Sequence, residues 1–337
     1  MADGTLRRRL KTIPTFVGGL LVMLTAAPVL LPLIAVADAI RWVVGRHPWM
    51  GTRLYCFGLV YLSAETVGLV ALGSVWLAAG CGRFRRPLLD WTFAIQQAWA
   101  GTLLAAVRGI FGIRIEVEGG NAVSPGPILL MVRHASIVDN LLPAALVSKR
   151  HGIRLRYVLK RELLSDPCLD VAGNRLPNYF VARGSNDTQS ELAAIRKLAD
   201  EMGPQDGVLI YPEGTRFTKA KQSRALEKLG KGDPGIFERA QQLRHVLPPR
   251  LGGPLALLNA ADPADVVVLA HHGLEGFAQL RDIWAGGMVN ATIRVEFWRI
   301  TRTAVPTEHL DQISWLHDVW SQVDTWIDEH HRRDAPT

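Results

Sequence analysis

The sequence predicts an α/β fold, a mixed central sheet flanked by helices, preceded by an N-terminal hydrophobic helical hairpin that anchors the chain to a membrane. Three observations carry that prediction. Two long apolar runs occupy the first eighty or so residues. Beyond about Leu88, short apolar runs alternate with amphipathic segments, the pattern of strands and helices layered around a sheet. Each of the central apolar runs then ends in a polar loop carrying glycine, histidine or arginine.

The hairpin comes first. From Thr12 to Ala37 there is no charged residue, and crossing a hydrocarbon core of about 30 Å takes roughly 20 helical residues. A second run, Leu54 to Cys81, is interrupted only by Glu65. "RRRLK" before the first run is also how a signal peptide begins, but no small-residue cleavage site followed by a polar segment appears. Pro28 and Pro32 are expected to kink the first helix or turn it back. Glu65 is costly inside a membrane unless neutral or paired. Arg7, Arg8, Arg9 and Lys11 precede the hairpin and Arg83, Arg85 and Arg86 follow it, against Arg41, Arg46 and Arg53 between the runs. That asymmetry slightly favours both ends inside, with the rest of the chain on the cytoplasmic face of the cell (inner) membrane. Residues 1–84 are therefore read as the anchor, of one or two helices, and residues 85–337 as the α/β domain.

In that domain, "WTFAIQQAWAGTLLAAVRGIFGI" reads as an amphipathic helix and "IRIEVEGG" as a half-buried strand. "GPILLMV" is apolar throughout, as in a strand covered on both faces. "IVDNLLPAALVSKR" reads as helix, "IRLRYVL" and "NYFV" as strands. "DTQSELAAIRKLADEMG" is a helix capped by Asn186 or Asp187 and stopped at Gly203. "GVLIYPEG", "DVVVLAHHG" and "ATIRVEFWRI" are strands, and Ser314 to His331 forms a tryptophan-bearing closing helix. Residues 218–235, polar and lysine-rich, read as a mobile loop or a solvated linker.

The net charge of +7 fits an anionic membrane surface or an anionic substrate. No basic recognition helix or zinc module points to nucleic acid. The three cysteines show no metal-ligand spacing, and His271-His272 and His330-His331 lack partners at such spacing, so no metal or cofactor is expected.

Three motifs carry chemistry. In "MVRHASIVDN", His134 leaves a buried strand and Asp139 follows five positions later. On one continuous helix these would diverge by about 140°. They meet only if His134 precedes the helix and Asp139 lies in its first turns. Asp139 would then fix the imidazole tautomer and leave the other nitrogen as a proton acceptor. The alternative is a surface loop that happens to hold two polar residues. In "YPEGTRF", Gly214 permits close backbone approach and Arg216 offers a planar fork suited to phosphate; otherwise this is a turn with an internal Glu–Arg pair. In "NYFVARGS", Arg183 follows a strand as a second phosphate contact or a plain surface charge.

In order, "RHASIVD", "YFVARGS" and "YPEGTRF" resemble the glycerolipid acyltransferases of the 1-acylglycerol-3-phosphate (lysophosphatidate) type. "LRHVLPPRLGGPLALLNA" is similar to a segment of the lysocardiolipin-acyltransferase-like branch. The resemblance covers roughly residues 85–300. It implies a membrane-bound O-acyltransferase of phospholipid biosynthesis with His134 as general base and Asp139 as its orienting partner. It also implies that Arg183, Glu213, Gly214, Thr215 and Arg216 hold the phosphate and glycerol end of the acceptor. Lys160 is either a further contact or a strand-end surface lysine. The donor is acyl-CoA or acyl carrier protein, and the acceptor is lysophosphatidate, another lysophospholipid or a lipid-linked sugar. The chain departs from the family pattern at Arg133, where asparagine is common, and at Ala182. An imidazole suits removal of a hydroxyl proton near neutral pH, and a thiol leaves without a strong acid. No serine or cysteine in the motifs suggests a covalent acyl-enzyme, so direct transfer in a ternary complex is expected. A thioester hydrolase using the same dyad on water, or an inactive membrane scaffold, are the rival readings.

Overall fold

The computed structural model describes residues 2–136, 138–181, 188–231, 234–277 and 280–334. Helices α1 (Ala2–Gly45), α2 (Met50–Ala78) and α3 (Arg85–Phe111) precede a seven-stranded sheet. Its strands are β1 (Arg114–Glu118), β2 (Ile128–Val132), β3 (Arg154–Lys160), β4 (Tyr179–Val181), β5 (Asp206–Ile210), β6 (Asp265–His272) and β7 (Thr292–Ile300). Between and after them run α4 (Pro167–Arg175), α5 (Thr188–Arg196), α6 (Lys219–Leu229), α7 (Pro234–Gln242), α8 (Gly252–Ala260), α9 (Leu280–Trp284) and α10 (His309–Asp334).

The sheet order is β1-β7-β6-β2-β5-β3-β4. All neighbours are parallel except β6 and β7, which run antiparallel. The sheet is thus mixed, as the sequence predicts. β2 and β5, "ILLMV" and "DGVLI", are buried at every position, which suits the middle of a sheet covered on both faces. Successive side chains alternate between the faces. Ile128, Leu130 and Val132 therefore join Leu104, Val107 and Phe111 of α3 in one apolar layer. Leu129 and Met131 join Leu257 of α8 and Trp320 of α10 in the other.

Three local expectations give way. The segment read as helix after β2 is a 3₁₀ turn, Val138–Asn140, followed by a π-helical stretch, Pro143–Lys149; Pro143, which lacks an N–H, breaks a regular start. The helix over "DTQSELAAIRKLADEMG" ends at Arg196 with a 3₁₀ turn after it, short of Gly203. Residues 218–235 are not a loop where described. Thr218 accepts the N–H of Lys221 and caps α6, and α7 follows from Pro234. Pro14, Pro28 and Pro32 all lie inside α1, which continues through them.

Both α1 and α2 are long and apolar enough to cross a membrane, and Leu21, Val22, Leu33 and Val67 face outward. Glu65 is fully buried instead. It accepts the indole N–H of Trp99 on α3 at 2.8 Å and the N–H of Cys168 on α4 at 2.9 Å. Beside it, a Cβ on Gly68 would stand 2.5 Å from the Cys168 sulfur, so α2 and α4 approach closely there. Replacing Glu65 with leucine orphans two buried N–H groups, at about 1–3 kcal/mol each. Glu65→Leu is expected to loosen this junction, read as faster trypsin cleavage at Arg83, Arg85 and Arg86; an unchanged rate would contradict the role.

α1 touches the domain at both ends. Arg8 grips the buried Asp170 of α4 through two nitrogens at 3.1 and 2.7 Å, and Arg9 joins at 3.1 Å. Some 50 Å further along the helix axis, by the rise of 1.5 Å per residue, Arg41 lies 4.6 Å over the ring of Trp284 on α9. The first helix therefore lies along the domain rather than standing away from it.

Candidate active site

β2, β5 and β6 run parallel side by side, so their C-terminal ends deliver His134, the 211–217 loop and His271 to one edge of the sheet. Open α/β sheets bind ligands in the crevice outside such ends.

His134 lies between β2 and the 3₁₀ turn that carries Asp139. Its Nδ1 is 3.1 Å from Asp139 Oδ2. The same oxygen accepts the backbone N–H groups of Ala135 and Ser136, each at 2.8 Å. Asp139 is thus fastened to the loop it orients. Burial alone would raise its pKa, but the hydrogen bond and charge of His134, with His271 and the Ser136 N–H, hold it below the usual carboxylate range. With Nδ1 facing a carboxylate, the imidazole directs Nε2 as its acceptor for a substrate proton.

The histidine backbone is held as firmly as the ring. Its N–H donates to Glu213 Oε1 at 2.7 Å, and its carbonyl accepts from the Phe217 N–H at 2.8 Å. Glu213 Oε2 accepts the Leu247 N–H at 2.8 Å. Glu213 is therefore a buried brace joining three loops: it is 1% exposed and each oxygen accepts a backbone N–H. Burial pushes its carboxyl up to about 8, against the pull of the Leu247 and His134 donors.

The rest of the "EGTR" block shapes the loop. Gly214 has φ +65°, and a Cβ there would meet Arg250 Cδ at 2.7 Å, so glycine is required on two counts. Lys221 of α6 donates to Thr215 Oγ1 at 3.0 Å and to the Arg216 carbonyl at 2.8 Å, placing a cation beside the loop. Lys160 ends β3 at the same edge of the sheet. Arg183 and Ala182, with the proposed caps Asn186 and Asp187, lie outside the described residues.

Three further residues support the dyad without having been singled out for it in the sequence. Arg133 is 1% exposed and donates to the His271 carbonyl and Glu275 Oε1, both at 2.6 Å, and to the His245 carbonyl at 3.1 Å. His271 Nε2 in turn donates to the Arg133 carbonyl at 3.0 Å and stands 3.9 Å from Asp139 Oδ2. The Tyr211 ring packs 4.5 Å from that of His134. The arginine that departs from the family pattern thus ties the end of β6 to the loop beneath Glu213. Its signal in the sequence was a charge immediately before His134, in a run otherwise buried.

Burial, then the charge of Arg133, lowers the His271 pKa to about 4. An unfolded histidine takes its proton near 6.5. Between those values the unfolded chain holds the extra proton, so stability falls as pH drops from about 6.5 to 4. The loss approaches about 3 kcal/mol at the acid end. Denaturant titrations at pH 7 and pH 4.5 are expected to show it, and His271→Gln should flatten the difference; equal slopes in both proteins would contradict the assignment.

Residues 114–254 match a family model described as Acyltransferase. The fold matches the crystal structure of the 1-acyl-sn-glycerophosphate (LPA) acyltransferase PlsC from Thermotoga maritima with a TM-score of 0.51, at 14% identity, over 84% of this chain and 100% of that one. No curated protein matches the chain.

Proposed function

We propose, from the premise that this chain carries an acyltransferase domain on a PlsC-like fold, that it moves a fatty acyl group from an acyl thioester to the free hydroxyl of a lysophospholipid. The acceptor we favour is 1-acylglycerol-3-phosphate, giving phosphatidic acid. The observation that carries this reading is the His134 Nδ1 to Asp139 Oδ2 contact of 3.1 Å at the open ends of the central strands.

In this mechanism Nε2 of His134 takes the acceptor hydroxyl proton as its oxygen attacks the thioester carbonyl. The tetrahedral intermediate collapses with release of the thiolate of coenzyme A or acyl carrier protein, which recovers the proton from the imidazolium. Asp139 holds the tautomer and stabilises the charged ring. Arg216 and Lys221 supply positive charge for the acceptor phosphate. Lys160 and Arg183 belong to the same proposal by resemblance.

The hairpin gives the reaction its place. Both substrates carry acyl chains, and a domain lying along an apolar helix meets them at a membrane surface. The basic residues flanking the hairpin favour the cytoplasmic face.

The test uses purified protein in liposomes with labelled oleoyl-CoA and a panel of lysophospholipids, following labelled lipid and free thiol together. Labelled phosphatidate is expected. Thiol without acylated lipid would indicate a hydrolase, and neither product would reject the reading.

A further inference from the structure

A polar cavity, of about 430 Å³, opens where the first turns of α1 meet the ends of β3 and β4. Arg8, Arg161 and Asn174 line it beside Leu164 and Phe180. Arg8 and Arg9 share one carboxylate, Asp170, whose side chain is fully buried. Arg161 is exposed and forms no ion pair with another described residue. Arg8 is matched by Asp170 and Arg161 by no carboxylate among the described residues, which leaves the cavity cationic, and an arginine with its fork unspent selects phosphate.

The sheet register fixes where this cavity stands relative to His134. Met131 of β2 pairs with Ile210 of β5, and Leu209 of β5 with Tyr157 of β3. Val158 is thus level with Met131. His134 and Arg161 each follow three residues later, at the same height on the sheet edge. They are two strands apart, with β5 between them, which is about 10 Å at roughly 4.8 Å per strand. Phe180, on β4, is one strand further out.

That spacing favours one phosphate over the other. In 1-acylglycerol-3-phosphate the reacting oxygen and the phosphorus are four bonds apart, a reach of about 5 Å at some 1.2 Å of extension per bond. Between the backbone positions the acceptor covers about half of that distance, and side chains must close the rest if its phosphate is to touch the cavity while its hydroxyl meets His134. In a phosphopantetheine thioester the sulfur and the first phosphorus are thirteen bonds apart, about 16 Å at full extension on the same scale. The donor spans the distance with slack.

We infer that the Arg8–Arg161 cavity holds the phosphate at the far end of the donor's pantetheine arm, leaving the Arg216 loop to the acceptor phosphate. The inference rests on the transferase reading above. Coenzyme A and acyl carrier protein both carry this phosphate, so the site serves either donor. A phosphate of the surrounding bilayer is the competing source.

The deciding experiment measures equilibrium binding of phosphopantetheine and of pantetheine to the full chain in neutral detergent, with no reaction required. The wild type is expected to prefer phosphopantetheine about tenfold, the scale of one charge-assisted hydrogen bond. Arg161→Gln should erase that preference and Arg161→Lys retain part of it. Arg8→Lys keeps the charge on Asp170 and should reduce the preference without unfolding the junction, as its thermal transition would show. Equal binding of the two ligands by wild type, or a preference that survives Arg161→Gln, overturns the proposal. So does Arg161→Gln losing only its affinity for phosphatidylglycerol vesicles, which would make the cavity a lipid-surface contact. In transfer assays the same variant should raise KM for acyl-CoA about tenfold and leave KM for the lysophospholipid unchanged. A wild type that transfers nothing rejects the transferase reading, while the ligand pair still decides the cavity.

Discussion

His134→Ala is expected to lower kcat by a factor of about 10³, within the 10²–10⁴ that a positioned general base contributes, with little change in KM for either substrate. The ring is what the variant removes; the fastening of the loop is not. The N–H to Glu213 and the carbonyl to Phe217 are backbone groups that alanine retains. The unfolding transition should therefore hold while turnover collapses, apart from the loss of packing against Tyr211. Asp139→Asn should fall short of this effect on turnover and leave most of the stability in place. The carboxylate oxygen that meets the imidazole also accepts two N–H groups. An asparagine oxygen can still accept those, but its neutral amide no longer stabilises an imidazolium. Measured side by side in single-turnover transfer, equal rates for wild type and His134→Ala would remove the dyad from the mechanism.

Glu213→Ala should have the largest structural effect of any single substitution at the site. It orphans the buried N–H groups of His134 and Leu247 at once, each worth roughly 1–3 kcal/mol. A loss of about 3–5 kcal/mol follows on that scale, together with turnover, because the His134 backbone loses its brace. Glu213→Gln separates the two contributions. Its amide presents one oxygen to one N–H and turns a donor towards the other, so an intermediate loss of stability is expected. Thermal unfolding in detergent, read beside kcat, checks the order wild type, Gln, Ala. Wild-type stability in Glu213→Ala would show that water replaces the carboxylate freely and would end its role as a brace.

Much of this site was legible because strand ends announce themselves. Runs such as "ILLMV" and "VLIY" can only be covered strands, so the polar residues that follow must sit on one edge, and His134 and Glu213 fall there together. What the sequence withheld is which polar atoms face each other. Glu213 is grouped with the acceptor contacts by resemblance, and by its residues alone it reads as half of a Glu–Arg pair in a turn. Only the three-dimensional path of residues 243–247 shows Leu247 claiming its second oxygen. Arg133 and His271 are hidden for the same reason: their partners are carbonyls and a carboxylate remote in the chain, which no local pattern reveals. The helices α4, α6, α7 and α8 escaped because each is at most eleven residues long, too short for a clear period. α6 is also so rich in lysine that its composition reads as loop. Glu65 was legible as a problem but not as its solution, since Trp99 and Cys168 are remote in the chain.

Because α1 is pinned at Arg8 and again at Arg41, the hairpin cannot be cut off cleanly. Trimming residues 1–84 would strip both guanidinium groups from Asp170, leaving a buried carboxylate with no cation, and would take Met50 out of the layer it shares with Leu104 and Phe111. The apolar hairpin and the α/β domain are thus built as one piece, and a more water-soluble version of this protein has to be made by repainting the outward face of the hairpin, not by shortening the chain.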